Sequence, residues 1–106
     1  MRTWVFDLDG TICTQESMGT YQNALPFYKV IEKMQVLKIL GDRIVIFTAR
    51  GMRTFDGDVK AVEENMRPLT EKWLKDNDVP YDELILGKPL GDVYVDDKGM
   101  NAKDFA

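Results

Sequence analysis

Histidine does not occur anywhere in the 106-residue sequence. Its absence excludes catalytic triads built on histidine and zinc sites with imidazole ligands. Acid–base chemistry in this protein must therefore depend on carboxylates or on lysine. Carboxylates are also the available metal ligands, and their hard oxygens make magnesium the first metal to expect.

Cysteine is almost as scarce, because Cys13 is the single one. One cysteine cannot form an internal disulfide, and this usage suits a reducing compartment. The sequence does not open on a basic segment followed by an apolar one, and no apolar run is long enough to cross a bilayer. We therefore expect a cytoplasmic protein that does not bind membranes.

Positive charge is in deficit as well, with 14 Lys and Arg against 18 Asp and Glu and a net charge of -4. An acidic balance without a basic cluster argues against a nucleic-acid partner. The length and the 44% of hydrophobic residues suit a single domain over residues 1–106 with a core of its own.

The most informative stretch is WVFDLDGT, from Trp4 to Thr11. Its apolar run predicts a buried strand. Side chains alternate along a strand, so Asp7 and Asp9 leave it towards the same side, and Gly10 lets the chain turn. The plainer alternative is a strand that ends in an ordinary polar turn, since Asp and Gly are common turn formers.

The remaining pattern predicts strands that alternate with helices. Apolar residues recur at helical spacing from Leu25 to Leu40, where Pro26 fits the first turn and Gly41 the end. A second helical stripe runs over 59–74; Asp58 is its cap, and Pro68 should kink or split it.

Further strands are predicted at Arg43–Phe47, Leu84–Leu86 and Asp92–Val95. The segment 12–24 is predicted to be a loop or small flap, and 98–106 to contain a helical turn. This alternation indicates an α/β fold: a parallel, Rossmann-like sheet flanked by helices.

Polar residues follow each of the four predicted strands. In a parallel sheet with right-handed crossovers these strand ends lie at one edge, so the side chains should converge. Carboxylates can hold Mg²⁺, whereas hydroxyls and lysine can hold phosphate oxygens, and the two together suit phosphoryl transfer. The residues concerned are Asp7, Asp9, Thr11, Thr48, Lys88, Asp96 and Asp97.

The order FDLDGT, a strand ending in Thr48, Lys88 and then VDD resembles the four motifs of the haloacid dehalogenase (HAD) superfamily. The match runs from Phe6 to Asp97. Within the superfamily, the short FDLDGT, FTARGM and VDDK pattern is similar to small phosphatases of capsule and polysaccharide biosynthesis. That narrower resemblance implies a phosphorylated small molecule, such as a sugar phosphate, as the substrate.

The superfamily resemblance implies a Mg²⁺-dependent phosphatase that hydrolyses a phosphate monoester through an aspartyl-phosphate. Asp7 would be the nucleophile and Asp9 the general acid and then base. Lys88 would neutralise charge on the phosphoryl oxygens. In isolation, however, Lys88 is better explained as a solvated loop residue.

The same resemblance implies that the phosphoryl group is bound by Thr48 with nearby backbone N–H groups, including that of Ala49. Thr11 and Arg50 are further candidates for substrate binding, although a solvated loop arginine explains Arg50 at least as well. The Mg²⁺ ligands would come from Asp7, Asp9, Asp96 and Asp97, with Asp97 favoured as the direct ligand of the last pair.

Neither gap between the motifs has room for a cap domain, so we expect a capless enzyme with an open site. An open site suits a bulky substrate or one covered by a neighbouring subunit, which makes a homo-oligomer one expectation. The alternative function is an aspartate-phosphorylated, receiver-like signalling or binding module without hydrolase activity. Receivers keep their acidic pair early in the chain and the phosphorylated Asp alone later, whereas here the order is reversed.

Overall fold

The structure is a computed structural model that describes residues 1–105. Its elements are, in order, β1 (Thr3–Phe6), a 3-10 helix (Tyr21–Asn23), α1 (Tyr28–Ile39), β2 (Arg43–Thr48), α2 (Val59–Asp76), β3 (Glu83–Leu86) and α3 (Ala102–Phe105). The strands form a parallel sheet in the order β1-β2-β3, with helices between them in the chain. The predicted parallel α/β sheet flanked by helices is therefore confirmed.

β2 is the central strand, and the sequence explains why. Its residues are β-branched and aromatic. Ile44 and Ile46 on one face are completely buried and Val45 on the other face is buried as well, as expected for a strand covered on both faces. The register sets Phe6 of β1 opposite Ile46, and Thr48 opposite Leu86 of β3. All three strands therefore end close together at their carboxyl ends.

The core packs the helices against this sheet. Val30, Ile31 and Met34 of α1 are buried together with Trp73 and Leu74 of α2. A smaller cluster joins Val62 and Met66 of α2 to Leu86 of β3. None of the helices within residues 1–105 is long and apolar enough to span a bilayer.

α3 returns the chain to the first strand. The Phe105 ring lies edge-on to Trp4, with centroids 5.7 Å apart, and to Phe6, at 5.1 Å. Lys33 of α1 donates to the Phe105 carbonyl oxygen. The helical turn predicted near the carboxyl terminus is therefore present and anchored, and Ala106 lies outside the described residues.

Helix boundaries differ from the prediction at the start of α1. Pro26 is not in its first turn: the helix begins at Tyr28, after Phe27 as N-cap, and Pro26 forms an isolated antiparallel bridge with Cys13. Leu25 and Leu40, assigned to the apolar stripe, are 67% and 71% exposed. Both lie outside the helix, so its periodicity does not govern them.

The structure shows where α1 ends, what caps the start of α2 and how far α2 continues. Gly41 ends α1 as expected, with φ +91 and its N–H bonded to the Lys38 carbonyl oxygen. Asp58 caps α2 by accepting a hydrogen bond from the Ala61 N–H at 3.3 Å. Pro68 does not split α2, which continues through it to Asp76.

The predicted fourth strand is wrong for this structure. Residues 92–95 form no strand, and their side chains are exposed, with Val93 77% and Val95 91% accessible. Within residues 1–105, β1 pairs only with β2, so its outer edge carries no neighbouring strand and Val5 is 64% exposed. The apolar, β-branched run is present, but it lacks a strand to pair with.

Candidate functional site

A cleft of about 480 Å³ opens at the carboxyl ends of β1 and β2. This is the edge where parallel α/β sheets place their ligands. The cleft contains both carboxylates of the first motif together with the turn that follows β2. Its lining is formed by Asp7, Asp9, Gln15, Glu16, Ser17, Met18, Tyr21, Thr48, Ala49, Arg50, Gly51, Arg53, Thr54, Leu90, Gly91 and Tyr94.

Asp7 is the accessible carboxylate of the cleft. Its side chain is 38% exposed, and Lys88 Nζ lies 3.5 Å from its Oδ1. Partial burial raises the pKa of Asp7 above its usual value, and the nearby ammonium group opposes that shift without cancelling it. The sequence predicted that both residues lie at the carboxyl edge of the sheet, and the structure brings them together.

Lys88 is held in place from two sides. Its backbone N–H donates to the Thr48 carbonyl oxygen at 3.1 Å, which extends the pairing of β2 with β3 by one more bond. Its ammonium group lies 4.2 Å from the centroid of the Tyr94 ring. This cation–π contact restricts the conformations of the Lys88 side chain and keeps its ammonium group next to Asp7.

Asp9 is bound by Arg50 in a bidentate pair. Arg50 Nε donates to Asp9 Oδ2 and Nη2 donates to Oδ1, each at 2.9 Å. Two parallel bonds of this kind are the strong form of a carboxylate–guanidinium contact. Both Asp9 oxygens are therefore engaged as acceptors in this arrangement.

The Arg50 side chain is fully buried, with a residue exposure of 2%. Its Nη1 donates to Thr70 Oγ1 at 3.3 Å, and its guanidinium stacks on the Tyr21 ring at 4.6 Å. The sequence offered Arg50 as a substrate ligand or a solvated loop residue; solvation is excluded. Arg50 is among the residues that line the cleft, but its guanidinium is paired with Asp9, so substrate binding by Arg50 stays a prediction.

The turn after β2 is compact. Thr48 is buried, and its Oγ1 accepts the Arg50 N–H at 3.1 Å, which bends the chain immediately after the strand. Gly51 follows with φ +79, where a Cβ would stand 2.7 Å from Met66 Cγ. Half-buried Ala49 lies between them and lines the cleft. The predicted phosphate-binding residues Thr48 and Ala49 therefore belong to the cleft.

The flap predicted after β1 covers one side of the cleft. Trp73 Nε1 donates to the Ala24 carbonyl oxygen at 2.9 Å, which ties the flap to α2. Tyr21 and Thr70 fix Arg50 from the flap and from α2, and sequence reasoning missed both. Tyr21 falls in a segment without periodicity, and Thr70 lies in an amphipathic helix, so neither carries a local signal.

Thr11 lies outside the cleft lining. It is half-buried in the turn after β1, where its N–H donates to the Leu8 carbonyl oxygen at 3.1 Å. Cys13 is completely buried nearby, and burial together with the Asp9 charge raises the pKa of its thiol to about 12. Such a thiol is unreactive, so Cys13 contributes to the packing of the core.

Asp96 and Asp97 are not part of the cleft. Both are exposed, and Asp96 Oδ1 accepts the backbone N–H groups of Lys98 and Gly99 in a local turn. Over residues 1–105, no three or more His, Cys, Asp or Glu side chains lie close enough together to hold a metal ion. The structure therefore gathers Asp7 and Asp9, but it does not bring the later acidic pair to them.

Together, fold and cleft define a small parallel α/β protein with an accessible carboxylate–lysine pair at the strand ends. The crystal structure of an MCSG target protein from Vibrio cholerae superposes on this chain with a TM-score of 0.92 and 38% identity, covering 99% of this chain and 87% of that one. This chain therefore belongs to the same family as the Vibrio cholerae protein.

A more distant likeness concerns the fold alone. A chain of the Pnkp1/Rnl/Hen1 complex superposes with a TM-score of 0.63 and 20% identity, covering 90% of this chain and 30% of that one. No family model and no curated protein matches the chain.

Proposed function

We propose that the protein is a phosphate-monoester hydrolase of the HAD type, with Asp7 as its nucleophile. One observation carries this proposal: Asp7 is an accessible carboxylate at the end of β1 with an ammonium group 3.5 Å away, inside an open cleft. A carboxylate can attack phosphorus, and a cation beside it can neutralise the phosphoryl oxygens that approach it. The HAD-like order of FDLDGT, Thr48, Lys88 and VDD supports the same conclusion.

In the first step, an Asp7 oxygen attacks phosphorus and the bond from phosphorus to the ester oxygen breaks. The leaving oxygen takes a proton from Asp9, and the product is an alcohol together with an aspartyl-phosphate. Lys88 lies on the Asp7 side, where charge on the phosphoryl oxygens must be balanced. Thr48, Ala49 and the turn that they form would position the phosphoryl group.

In the second step, water attacks the aspartyl-phosphate and gives a proton to Asp9. The bond from phosphorus to the Asp7 oxygen then breaks, which releases inorganic phosphate and restores the carboxylate. Because Arg50 donates to both Asp9 oxygens, proton transfer requires Asp9 to release at least one of these bonds. The phosphoryl group is an anion that could take its place beside the guanidinium.

Magnesium is the cation that we propose for this chemistry, because carboxylate oxygens are its usual ligands. In one chain Asp7 faces Lys88, Asp9 faces Arg50, and the acidic pair Asp96 and Asp97 lies outside the cleft. Asp7 and Asp9 are therefore the carboxylates that one chain would offer to the ion at the cleft, and Mg²⁺ bound through one or two carboxylates keeps several waters as its other ligands.

The substrate that we propose is a small phosphorylated molecule, with a sugar phosphate of polysaccharide biosynthesis as the first candidate, hydrolysed in the cytoplasm. The cleft is open, and the cations Lys88 and Arg53 lie at or near its surface. A cleft of this kind holds the phosphate and leaves the rest of the molecule in solvent, so the size of the leaving group is weakly restricted.

The test is a panel of phosphate esters assayed with Mg²⁺ or with EDTA. Asp7→Asn should lower kcat by about a thousandfold or more, because the nucleophile is lost. The control Glu64→Gln removes an exposed carboxylate of α2 outside the cleft and should leave the rate unchanged.

Acid quenching with a labelled ester adds a second readout, since label should be bound covalently to the natural chain and not to Asp7→Asn. Full hydrolysis by Asp7→Asn would reject the nucleophile. Label that accumulates on Asp7 without release of phosphate would favour the receiver-like alternative.

A further inference from the structure

One strand edge and one strand-forming segment are left without partners in this structure. The outer edge of β1 has no neighbour among residues 1–105, and its exposed Val5 faces solvent. Residues 92–95 form no strand, and their apolar side chains Val93 and Val95 are exposed. Proteins normally cover both an open strand edge and an exposed β-branched segment, because both pair readily.

The segment cannot pair with its own β1 as a parallel strand. Only Gly87 to Gly91 separate it from the end of β3. A parallel connection takes about a dozen or more residues, because the chain must return to the opposite end of the sheet. Here it would also cross three strand spacings, about 14 Å, and descend about 13 Å. The six residue steps from Leu86 to Asp92 reach only about 20 Å when fully extended, which leaves almost no length for a path around the packed face of the sheet.

The base of the segment is held away from its own β1 by local contacts. Tyr94 Oη donates to the Pro89 carbonyl oxygen at 2.7 Å and accepts the Gly91 N–H at 3.0 Å. Its ring lies against the Lys88 ammonium group and lines the cleft, so the segment begins beside the cleft. The superposition on the Vibrio cholerae crystal structure covers 99% of the chain, which includes this path.

We propose that two copies of the chain exchange this segment, so that residues 92–95 of each copy pair with the outer edge of β1 in the other. Both elements are present once in every chain, so reciprocal exchange satisfies both and closes as a two-fold dimer. A second copy is free of the connection-length limit that excludes pairing within one chain.

The exchange also completes the proposed active site, and this part rests on the proposed function. In a parallel pairing the segment ends at the carboxyl end of the other copy's β1, where Asp7 and Asp9 lie. Asp96 and Asp97 follow the segment directly, so the second copy delivers two carboxylates to an edge where one chain lacks them. Each magnesium site would then be shared between two chains.

The oligomeric state is tested first, by light scattering during size-exclusion chromatography. The natural 12.2 kDa chain should elute as a dimer. A Val93→Pro, Val95→Pro variant should be monomeric with an unchanged circular dichroism spectrum. Proline removes two strand donors that make no backbone hydrogen bond within residues 1–105, so the fold of one chain should not need them.

The matched control is Val93→Thr, Val95→Thr, which keeps the backbone donors and the β-branched shape and should stay dimeric. A monomeric natural chain, or a proline variant that remains dimeric, would overturn the exchange.

Complementation tests the shared site. Asp7→Asn and the double variant Asp96→Asn, Asp97→Asn should each be inactive alone with Mg²⁺ and p-nitrophenyl phosphate. Unfolded and refolded together in equal amounts, they should recover about a quarter of the natural activity, since half of the dimers are mixed and each holds one intact site of two. No recovery by a mixture of two inactive dimeric variants would reject the shared site.

The two proposals fail in different ways. A dimer that responds to proline as expected but hydrolyses no ester rejects the phosphatase and leaves the exchange standing. An active protein that is monomeric rejects the exchange and leaves the phosphatase standing.

Discussion

At the scale of single residues, Arg50 and Asp9 form the contact on which the cleft most depends. The guanidinium is fully buried, and its companions are Asp9, Thr70 and the Tyr21 ring. A charge in this position is stable because it is paired and hydrogen-bonded, and it would be costly without the carboxylate.

Arg50→Met should therefore lower the free energy of unfolding by about 3–5 kcal/mol, because it leaves the Asp9 carboxylate largely buried without its partner. Adding Asp9→Leu should restore part of that loss, which urea unfolding of the single and double variants would measure. Arg53→Met, at an exposed residue of the same loop, is the control and should change stability by less than about 0.5 kcal/mol. Equal losses in the two arginine variants would contradict this account.

Unlike the Arg50–Asp9 pair, the ionised Asp7 carboxylate lowers the stability of the folded protein. Burial raises its pKa in the folded state, so folding favours the protonated form. This contribution is fully present below the unfolded value of about 3.9 and is lost as the pH rises through the raised folded pKa.

Asp7→Asn should consequently have a higher Tm than the natural protein at pH 7, and the difference should shrink as the pH is lowered towards 4. Differential scanning calorimetry across this range measures it, with Glu64→Gln as the exposed control. A lower Tm for Asp7→Asn at pH 7 would show that the Lys88 contact outweighs the cost of burial.

At the scale of elements, the sequence predicts what is local and periodic. β2 and α2 carry their own signals, the first in a β-branched run and the second in an apolar stripe with Asp58 as cap. The meeting of Asp7 with Lys88 also follows from the sequence, because the ends of parallel strands share an edge.

The remaining features depend on contacts between residues that are distant in the sequence, and no local pattern predicts these contacts. Residues 92–95 have the composition of a strand, but a strand also needs an edge within reach, and the five-residue connection decides that. The bond from Arg50 to Asp9 joins turns 41 residues apart, and the Tyr21 ring that completes it lies in an aperiodic flap. Sequence periodicity therefore predicts neither the missing strand pairing of residues 92–95 nor the contacts of Arg50.

Asp58→Ala should shorten or loosen the start of α2. The carboxylate satisfies the Ala61 N–H, one of the donors that a helix leaves without an internal partner. We expect a loss of about 1 kcal/mol in the free energy of unfolding, measured by urea denaturation. Glu64→Ala, at an exposed position inside the same helix, should cause a smaller change, and an equal effect would argue against the cap.

At the scale of the whole molecule, two aspartates stabilise the end of the sheet opposite the cleft. Asp42 accepts the Arg2 N–H at 2.9 Å and Trp4 Nε1 at 3.0 Å, and the Arg2 bond is the main cause of its lowered pKa. Asp82 accepts Lys38 Nζ and the Ile44 N–H, and the Lys38 bond comes first in lowering its pKa. These bonds join β1, β2, α1 and the start of β3.

Because both pKa values are lowered in the folded state, their contribution is present above about pH 3.9 and is lost as the pH falls through the folded values. The free energy of unfolding should therefore decrease below about pH 4, in spite of the opposite effect of Asp7. Asp42→Asn should be less stable at pH 6 but show a flatter decline between pH 5 and 3 in urea titrations. A parallel decline in both proteins would remove Asp42 from this role.

The docking of Phe105 on Trp4 gives the molecule an optical reporter of its own. Trp4 and Trp73 are its two tryptophans, and Trp73 is buried deep between α2 and the flap. Trp4 instead senses the carboxyl-terminal helix through the Phe105 ring and the edge of the sheet through Asp42. With Trp73 replaced by Phe, ultraviolet emission would follow detachment of that helix separately from melting of the core.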